Sequence, residues 1–183
     1  INNARQYVYV AMAWFTDRDI ASAIIDTKKR GVTVDIVLSS NSQNETVKLM
    51  FRGADINVHA FETGDDRGMM HHKFCLIDDR ISINGSYNYS YNASNNNVEN
   101  IHVSDDPSTY KQLLSEFERI RYNIDNNIAV NTIDTNMETP IQSHTAPETQ
   151  VPDSDSFYQQ LYNLVYSSAQ INTEEYKKRG YQK

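Results

Sequence analysis

Three short runs rich in β-branched and aromatic residues, separated by two stretches of helical spacing, leave this chain few folds to choose from. Tyr7-Val8-Tyr9-Val10-Ala11-Met12 is apolar enough for a buried strand. Thr16-Asp17-Arg18-Asp19 follows, and sets a capping hydroxyl at Thr16 three residues before Asp19. Ile20, Ala23, Ile24 and Thr27 then recur at helical spacing, and Gly31 marks the stop after Lys28-Lys29-Arg30. Residues 32–38 alternate and are β-branched, which makes them the second strand. Residues 44–52 read as a short helix ended by Gly53, and residues 56–60 as a third strand. A β-α-β-α-β order with short connections brings successive strands into one sheet, parallel and covered by helices. The expected fold class is therefore α/β, a mixed and mostly parallel sheet flanked by helices.

Beyond the polar stretch 62–68, two further strands are expected near residues 71–77 and 80–84. The turn at Asp78-Asp79 would join them as a hairpin. Residues 92–97 are nearly all polar and read as a solvated loop, and residues 98–103 as another strand. Asp106-Pro107 supplies a helix cap and a proline at the first helical position. Tyr110, Leu113, Leu114, Phe117 and Ile120 form the apolar face of the closing helix. Residues 1–122 thus make one domain. Residues 123–156 carry no aromatic residue and read as an acidic flexible linker. In residues 157–183, Phe157, Leu161, Leu164 and Val165 outline a short amphipathic helix. It would dock on the domain, dock on a regulator, or open a further domain.

The net charge of −7 argues against a polyanion partner until its distribution is considered. Six acidic residues and no Lys or Arg fall within 123–156, whereas residues 1–122 hold 13 basic and 16 acidic residues. Any polyanion site must be a local basic patch. The single cysteine, Cys75, excludes an internal disulfide and a Cys-rich zinc site, and fits a reducing compartment. No apolar run approaches the ~20 residues of a membrane span, and no signal peptide is visible. The chain begins at Ile1 rather than Met, inside patterned sequence, so an upstream segment bearing an anchor or signal stays open.

The chemistry-bearing stretch is His71-His72-Lys73-Phe74-Cys75-Leu76-Ile77-Asp78, followed by Gly85-Ser86-Tyr87-Asn88. On a strand His71 and Lys73 share one face, and Asn84, Ser86 and Asn88 would share a face if the strand runs that far. Gly85 allows close backbone approach. An imidazole, an ammonium, a hydroxyl and an amide together suit a phosphate diester. The cation neutralises oxygen charge, the hydroxyl and amide donate hydrogen bonds, and imidazole attacks or transfers protons near neutral pH. His72 reads as a packed strand residue, Cys75 as core, Asp79 and Arg80 as turn residues, and Lys28-Lys29-Arg30 as a solvated helix end. Most tyrosines, including the alternating Tyr87, Tyr89 and Tyr91, read as packing residues.

His71-x-Lys73, four residues, Asp78, then Gly85-Ser86-x-Asn88 resembles the HKD signature of the phospholipase D superfamily. Asn97-Val98-Glu99-Asn100, Phe117-Glu118-Arg119-Ile120 and Phe15-Thr16-Asp17-Arg18-Asp19-Ile20 extend the resemblance to its single-motif branch. That branch holds bacterial Nuc-type endonucleases and an animal mitochondrial nuclease. The resemblance covers residues 5–122 and implies a phospholipase D-like fold with one HKD motif per chain. It implies His71 as a nucleophile that forms a phosphohistidine, with Lys73, Ser86 and Asn88 holding the phosphate. Glu99 would orient the histidine, and Asp78 completes the signature in an orienting or structural role. It implies a homodimer with a shared active site, no metal and no cofactor. The zinc insertion of the animal members is missing, which favours the bacterial, cytoplasmic type. The leading expectation is an endonuclease acting on DNA or RNA. A phospholipase or phosphatidyl transferase is the second reading, and a non-catalytic dimerisation or binding module the third.

Overall fold

A computed structural model describes residues 1–62 and 68–128. Six strands form one sheet: β1 (Tyr7–Met12), β2 (Thr33–Ser39), β3 (Asn57–Phe61), β4 (Lys73–Ile77), β5 (Ile81–Gly85) and β6 (Ile101–Ser104). Their spatial order is β3-β2-β1-β4-β5-β6. Helices α1 (Arg18–Lys29) and α2 (Glu45–Gly53) each return the chain to the start of the next strand. That connection makes β1, β2 and β3 parallel neighbours. The remaining pairings, β1–β4, β4–β5 and β5–β6, are antiparallel. The sheet is mixed and helix-flanked as expected, with parallel pairing confined to its first three strands. The β4–β5 hairpin closes through Arg80 N–H to the Ile77 carbonyl, and Asp78 and Asp79 both adopt left-handed backbone at φ 55° and 52°. Two left-handed central residues match the right-handed twist of the strands they join.

Both faces of the sheet are buried, which explains the near-continuous apolar runs in β1 and β2. Val8, Val10, Met12, Ile36, Leu38 and Cys75 face one way and pack with Ala21 and Ile24 of α1 and with Val47 and Phe51 of α2. Ala11, Val37, Phe74 and Leu76 face the other way, onto Tyr110, Phe117 and Ile120 of α4 (Pro107–Asp125). A short helix, α3 (Tyr91–Asn95), sits between β5 and β6. Among the described residues no helix is long and apolar enough to cross a membrane.

Several local expectations need correction. Asp17, not Thr16, caps α1, accepting from the N–H groups of Asp19 (2.9 Å) and Ile20 (3.0 Å). The Tyr89 carbonyl takes the N–H groups of both Thr16 (2.7 Å) and Asp17 (3.0 Å), and the helix starts one residue later than expected. A carboxylate at the positive end of the helix gains from its dipole as well. Gly31, at φ 90°, ends α1 as expected, but α2 runs through Gly53 and the left-handed residue there is Asp55. Residues 91–95 are helical rather than loop, because the Ser90 hydroxyl accepts from the Ala93 N–H and nucleates a turn. Strand β4 begins at Lys73 and β6 at Ile101, each later than their apolar patterns suggest.

Helix α4 is capped by Asp106 and Pro107 as expected, yet it continues to Asp125, inside the stretch read as linker. The reason is a charged network that links distant elements. Asp35, buried in β2, accepts from Arg121 at 2.9 Å and bonds His59 of β3 at 2.9 Å. His59 bonds Asp125 through its other nitrogen at 2.7 Å. Burial alone would raise the Asp35 carboxyl, but the hydrogen bonds from His59 and Arg121 outweigh it and hold it below the ordinary value. The bond to Asp35, aided by Asp125, raises the His59 imidazole against its own partial burial. The last helical turn is therefore pinned to the sheet. The rest of the linker and the amphipathic segment 157–183 lie outside the described residues.

Candidate active site

In open α/β sheets, ligands gather where parallel strands end at their carboxyl edge. Here β1 ends at Met12, β4 enters at Lys73 directly opposite it, and β5 ends at Gly85. The β1–β4 pairing continues one step past the strand, with Ala13 N–H donating to the His72 carbonyl at 2.9 Å. Alternation then sends His72 and Lys73 to opposite sides. The His72 ring bonds Glu116 of α4 at 2.9 Å, and Arg119 grips the same carboxylate with bonds of 2.7 and 2.8 Å. Burial would raise Glu116, but the Arg119 hydrogen bonds and then His72 bring it down to about 2. His72 is thus a strand-to-helix tie, as its sequence context suggested.

His71 is exposed at the sheet edge, beyond the first residue of β4. Partial desolvation, then the positive charges of Lys73 and His72, hold its imidazole below the ordinary value. In its free-base form the ring carries an available lone pair. The Lys73 ammonium donates to the His71 carbonyl at 2.7 Å, which anchors the cation beside the ring. Desolvation lowers Lys73 and the Glu99 carboxylate opposes that shift. A small cleft beside Lys73 is lined by Met12, Asn84, Gly85, Tyr87 and Ile101.

The hydroxyl and amide come from the turn after β5. Gly85 has φ 152°, and a Cβ there would lie 2.2 Å from the Asn100 carbonyl oxygen. Only glycine permits that approach. It lets Ser86 N–H donate to Asn100 and lets the Ser86 hydroxyl accept from the Asn100 N–H at 3.0 Å. The Ser86 hydroxyl donates in turn to Glu99 in a very short bond, and Asn97 donates to the same carboxylate at 2.9 Å. Those two hydrogen bonds, then Lys73, lower the Glu99 carboxyl. The Asn88 side-chain Oδ1 accepts from the Trp14 backbone N–H at 3.2 Å, which leaves the side-chain amide hydrogens to donate elsewhere.

The structure therefore gathers His71, Lys73, Ser86, Asn88 and Glu99 at one edge. Alternation is not what places Ser86 and Asn88. Strand β5 stops at Gly85, and Asn84 pairs with Phe74 and shares its α4-facing side. Within the described residues Glu99 makes no hydrogen bond to His71. Its expected orienting contact is replaced by bonds to Ser86 and Asn97. Asp78 is not brought to the site at all. It lies at the opposite end of β4, a strand about 17 Å long. There its carboxylate accepts from the N–H groups of Arg5, Gln6 (2.7 Å) and Tyr7 (3.1 Å). It thus fixes the entry into β1. Asp78→Ala is expected to lower stability by about 1–3 kcal/mol in urea melts. The turnover per folded molecule should be unchanged, and a large fall in turnover at full folding would return Asp78 to the catalytic group.

Three site residues escaped the sequence reading. Trp14, the only tryptophan, meets the His71 ring edge-to-face at 5.3 Å, and Asn97 and Asn100 hold Glu99 and Ser86. The two asparagines flank Glu99 in a motif already visible. Trp14 had only its position, two residues past an apolar strand, to signal it.

Comparison with known proteins agrees with this architecture. Residues 1–121 match the family model described as "Cardiolipin synthase, PLD-like domain", and the chain belongs to this phospholipase D-like family. The human mitochondrial cardiolipin hydrolase is 33% identical over 119 residues, covering 64% of this chain and 46% of the relative. NucT from Helicobacter pylori superposes with a TM-score of 0.59 at 32% identity, over 65% of this chain and 80% of that one. Nuc from Salmonella typhimurium, a phospholipase D family member, gives 0.60 at 24% identity over 67% and 81% and shares the fold. The chain spans about half the length of the curated relatives it matches.

Proposed function

We propose that this protein is a phosphodiesterase that cleaves nucleic acid through a phosphohistidine, without a metal. The observation that carries this reading is the His71 ring held beside the Lys73 ammonium, with Ser86 and Asn88 at the same edge. A ring nitrogen of His71 attacks phosphorus while Lys73 and the Asn88 amide hold the non-bridging oxygens, joined by Ser86 when its hydroxyl turns from Glu99 to the phosphate. The P–O bond to the leaving group breaks, and that oxygen needs a proton. One chain offers one such histidine. His71 of the partner subunit, in its protonated form, supplies that proton and is left neutral, so the working unit is a homodimer with both histidines at the interface. The partner's His71 then takes a proton from water, the hydroxide attacks phosphorus, and the N–P bond breaks to restore free imidazole. Lys73 serves as the cation, so the scheme draws no step from a metal. A cytoplasmic location belongs to the same reading and fits a lone, buried Cys75.

The substrate follows from the rim. Exposed amides at Asn92, Asn95, Asn96, Asn97 and Asn100, with the exposed ring of Tyr91, offer hydrogen bonds and a stacking face. That surface suits a sugar–phosphate chain bearing bases. A groove shared between two such sites would suit a single strand. Cardiolipin or a related lipid is the second reading, favoured by the names of the curated relatives. The test sets the full chain against labelled single-stranded DNA, duplex DNA, RNA and cardiolipin vesicles, all in EDTA. Cleavage of a single-stranded nucleic acid that survives chelation is expected. Turnover confined to the vesicles, or lost in EDTA, overturns the proposal, and no turnover at all points to a binding module.

A further inference from the structure

We propose that Trp14 is the positioning residue that sets the His71 ring for attack, the task expected of Glu99. This inference rests on the reading of His71 as the nucleophile. Glu99 is occupied by Ser86 and Asn97, and within the described residues the His71 imidazole makes no hydrogen bond. What touches the ring instead is the indole of Trp14, 5.3 Å between centroids and at 88°. Edge-to-face aromatic pairs have a preferred geometry, so the indole limits rotation of the imidazole about its side-chain bonds. The Lys73 ammonium lies 5.9 Å from the same indole, so one aromatic group spans both the nucleophile and the cation.

A positioning residue must itself be fixed, and the Trp14 backbone is held on every side. Its own N–H donates to Asn88, the Ala13 N–H donates to the His72 carbonyl, and the Phe15 N–H donates to Asn44 at 2.7 Å. Asn44 returns a bond to the Ala13 carbonyl at 2.9 Å, and it is fully buried. Trp14 thus joins the residue that would hold phosphate, Asn88, to the residue that would attack it, His71. Through Asn44 both are tied to the start of α2. Nothing in this arrangement requires the indole to contact substrate.

Trp14→Ala and Trp14→Phe separate this role from packing. The full chain is assayed with bis(p-nitrophenyl) phosphate, a small diester that needs no substrate-binding groove. In parallel, the His71 ring is followed by NMR through a pH titration. Trp14→Ala is expected to lower kcat by roughly ten- to a hundred-fold with KM little changed, the scale set by a misaligned attacking group. Trp14→Phe keeps an aromatic edge and should recover most of the rate. The His71 titration midpoint should move upward in Trp14→Ala, because removing the indole admits water to the ring. If kcat and the titration both hold at wild-type values in Trp14→Ala, Trp14 is packing only. If KM alone rises, it binds substrate. Either result overturns the proposal. The titration reads the contact even if the diester is not turned over, so failure of the proposed activity stays distinguishable from failure of this inference.

Discussion

His71→Ala is expected to fold normally and lose about 10,000-fold or more of its phosphodiesterase rate. Losing the nucleophile from a covalent mechanism removes the pathway rather than weakening it, and single nucleophile deletions in other enzymes reach that scale. The ring is exposed at the sheet edge, so its truncation leaves little cavity. Quenching the wild type during turnover with denaturant at alkaline pH, where an N–P bond survives, should leave a phosphoryl adduct on the peptide containing His71, and the variant should carry none. The pH profile gives a second reading of the same site. His71 is depressed below the ordinary imidazole value, so its free base persists to lower pH and the acid limb of the rate should fall below 6.5. The acid of the first step is the partner's His71 in its protonated form, so the rate should fall again on the alkaline side as that imidazole loses its proton, before Lys73 loses its own. A variant that keeps a tenth of the wild-type rate would rule out His71 as the nucleophile.

Gly85→Ala should be the most damaging single methyl group in the site. The added Cβ would fall 2.2 Å from the Asn100 carbonyl oxygen, which is backbone and cannot rotate away. The φ of 152° is also one that side chains rarely adopt. Clash and backbone strain together are expected to cost about 2–4 kcal/mol, read as a lowered urea midpoint at unchanged slope. Activity should fall further than stability explains, because the three hydrogen bonds joining Ser86 to Asn100 depend on that approach. A urea midpoint within error of the wild type would show that β5 and β6 separate freely, and that Gly85 does not set the site.

The two predictions test different kinds of knowledge. That His71 and Lys73 lie together was legible in the sequence, since two residues at i and i+2 need only a strand-like backbone to share a side. The hairpin at Asp78-Asp79, the cap at Asp106-Pro107 and the crossover order of the first three strands were legible for the same reason. Each depends on contacts within a few residues. The cap at Asp17 was misread because the chain entering α1 is held at both Thr16 and Asp17 by the carbonyl of Tyr89, a residue far along the chain. The end of α4 was misread because Asp35, His59 and Asp125 meet only in the folded sheet.

By itself the sequence determined the strand–helix alternation and the His71-x-Lys73 pair. Both are short-range patterns, and backbone periodicity projects them directly into space. The tertiary structure alone decided that Asp78 leaves the site to anchor β1, that Glu99 serves Ser86 rather than His71, and that Trp14 meets the imidazole. Each of those contacts joins residues far apart in the chain, and no local periodicity specifies which side chain waits across the sheet.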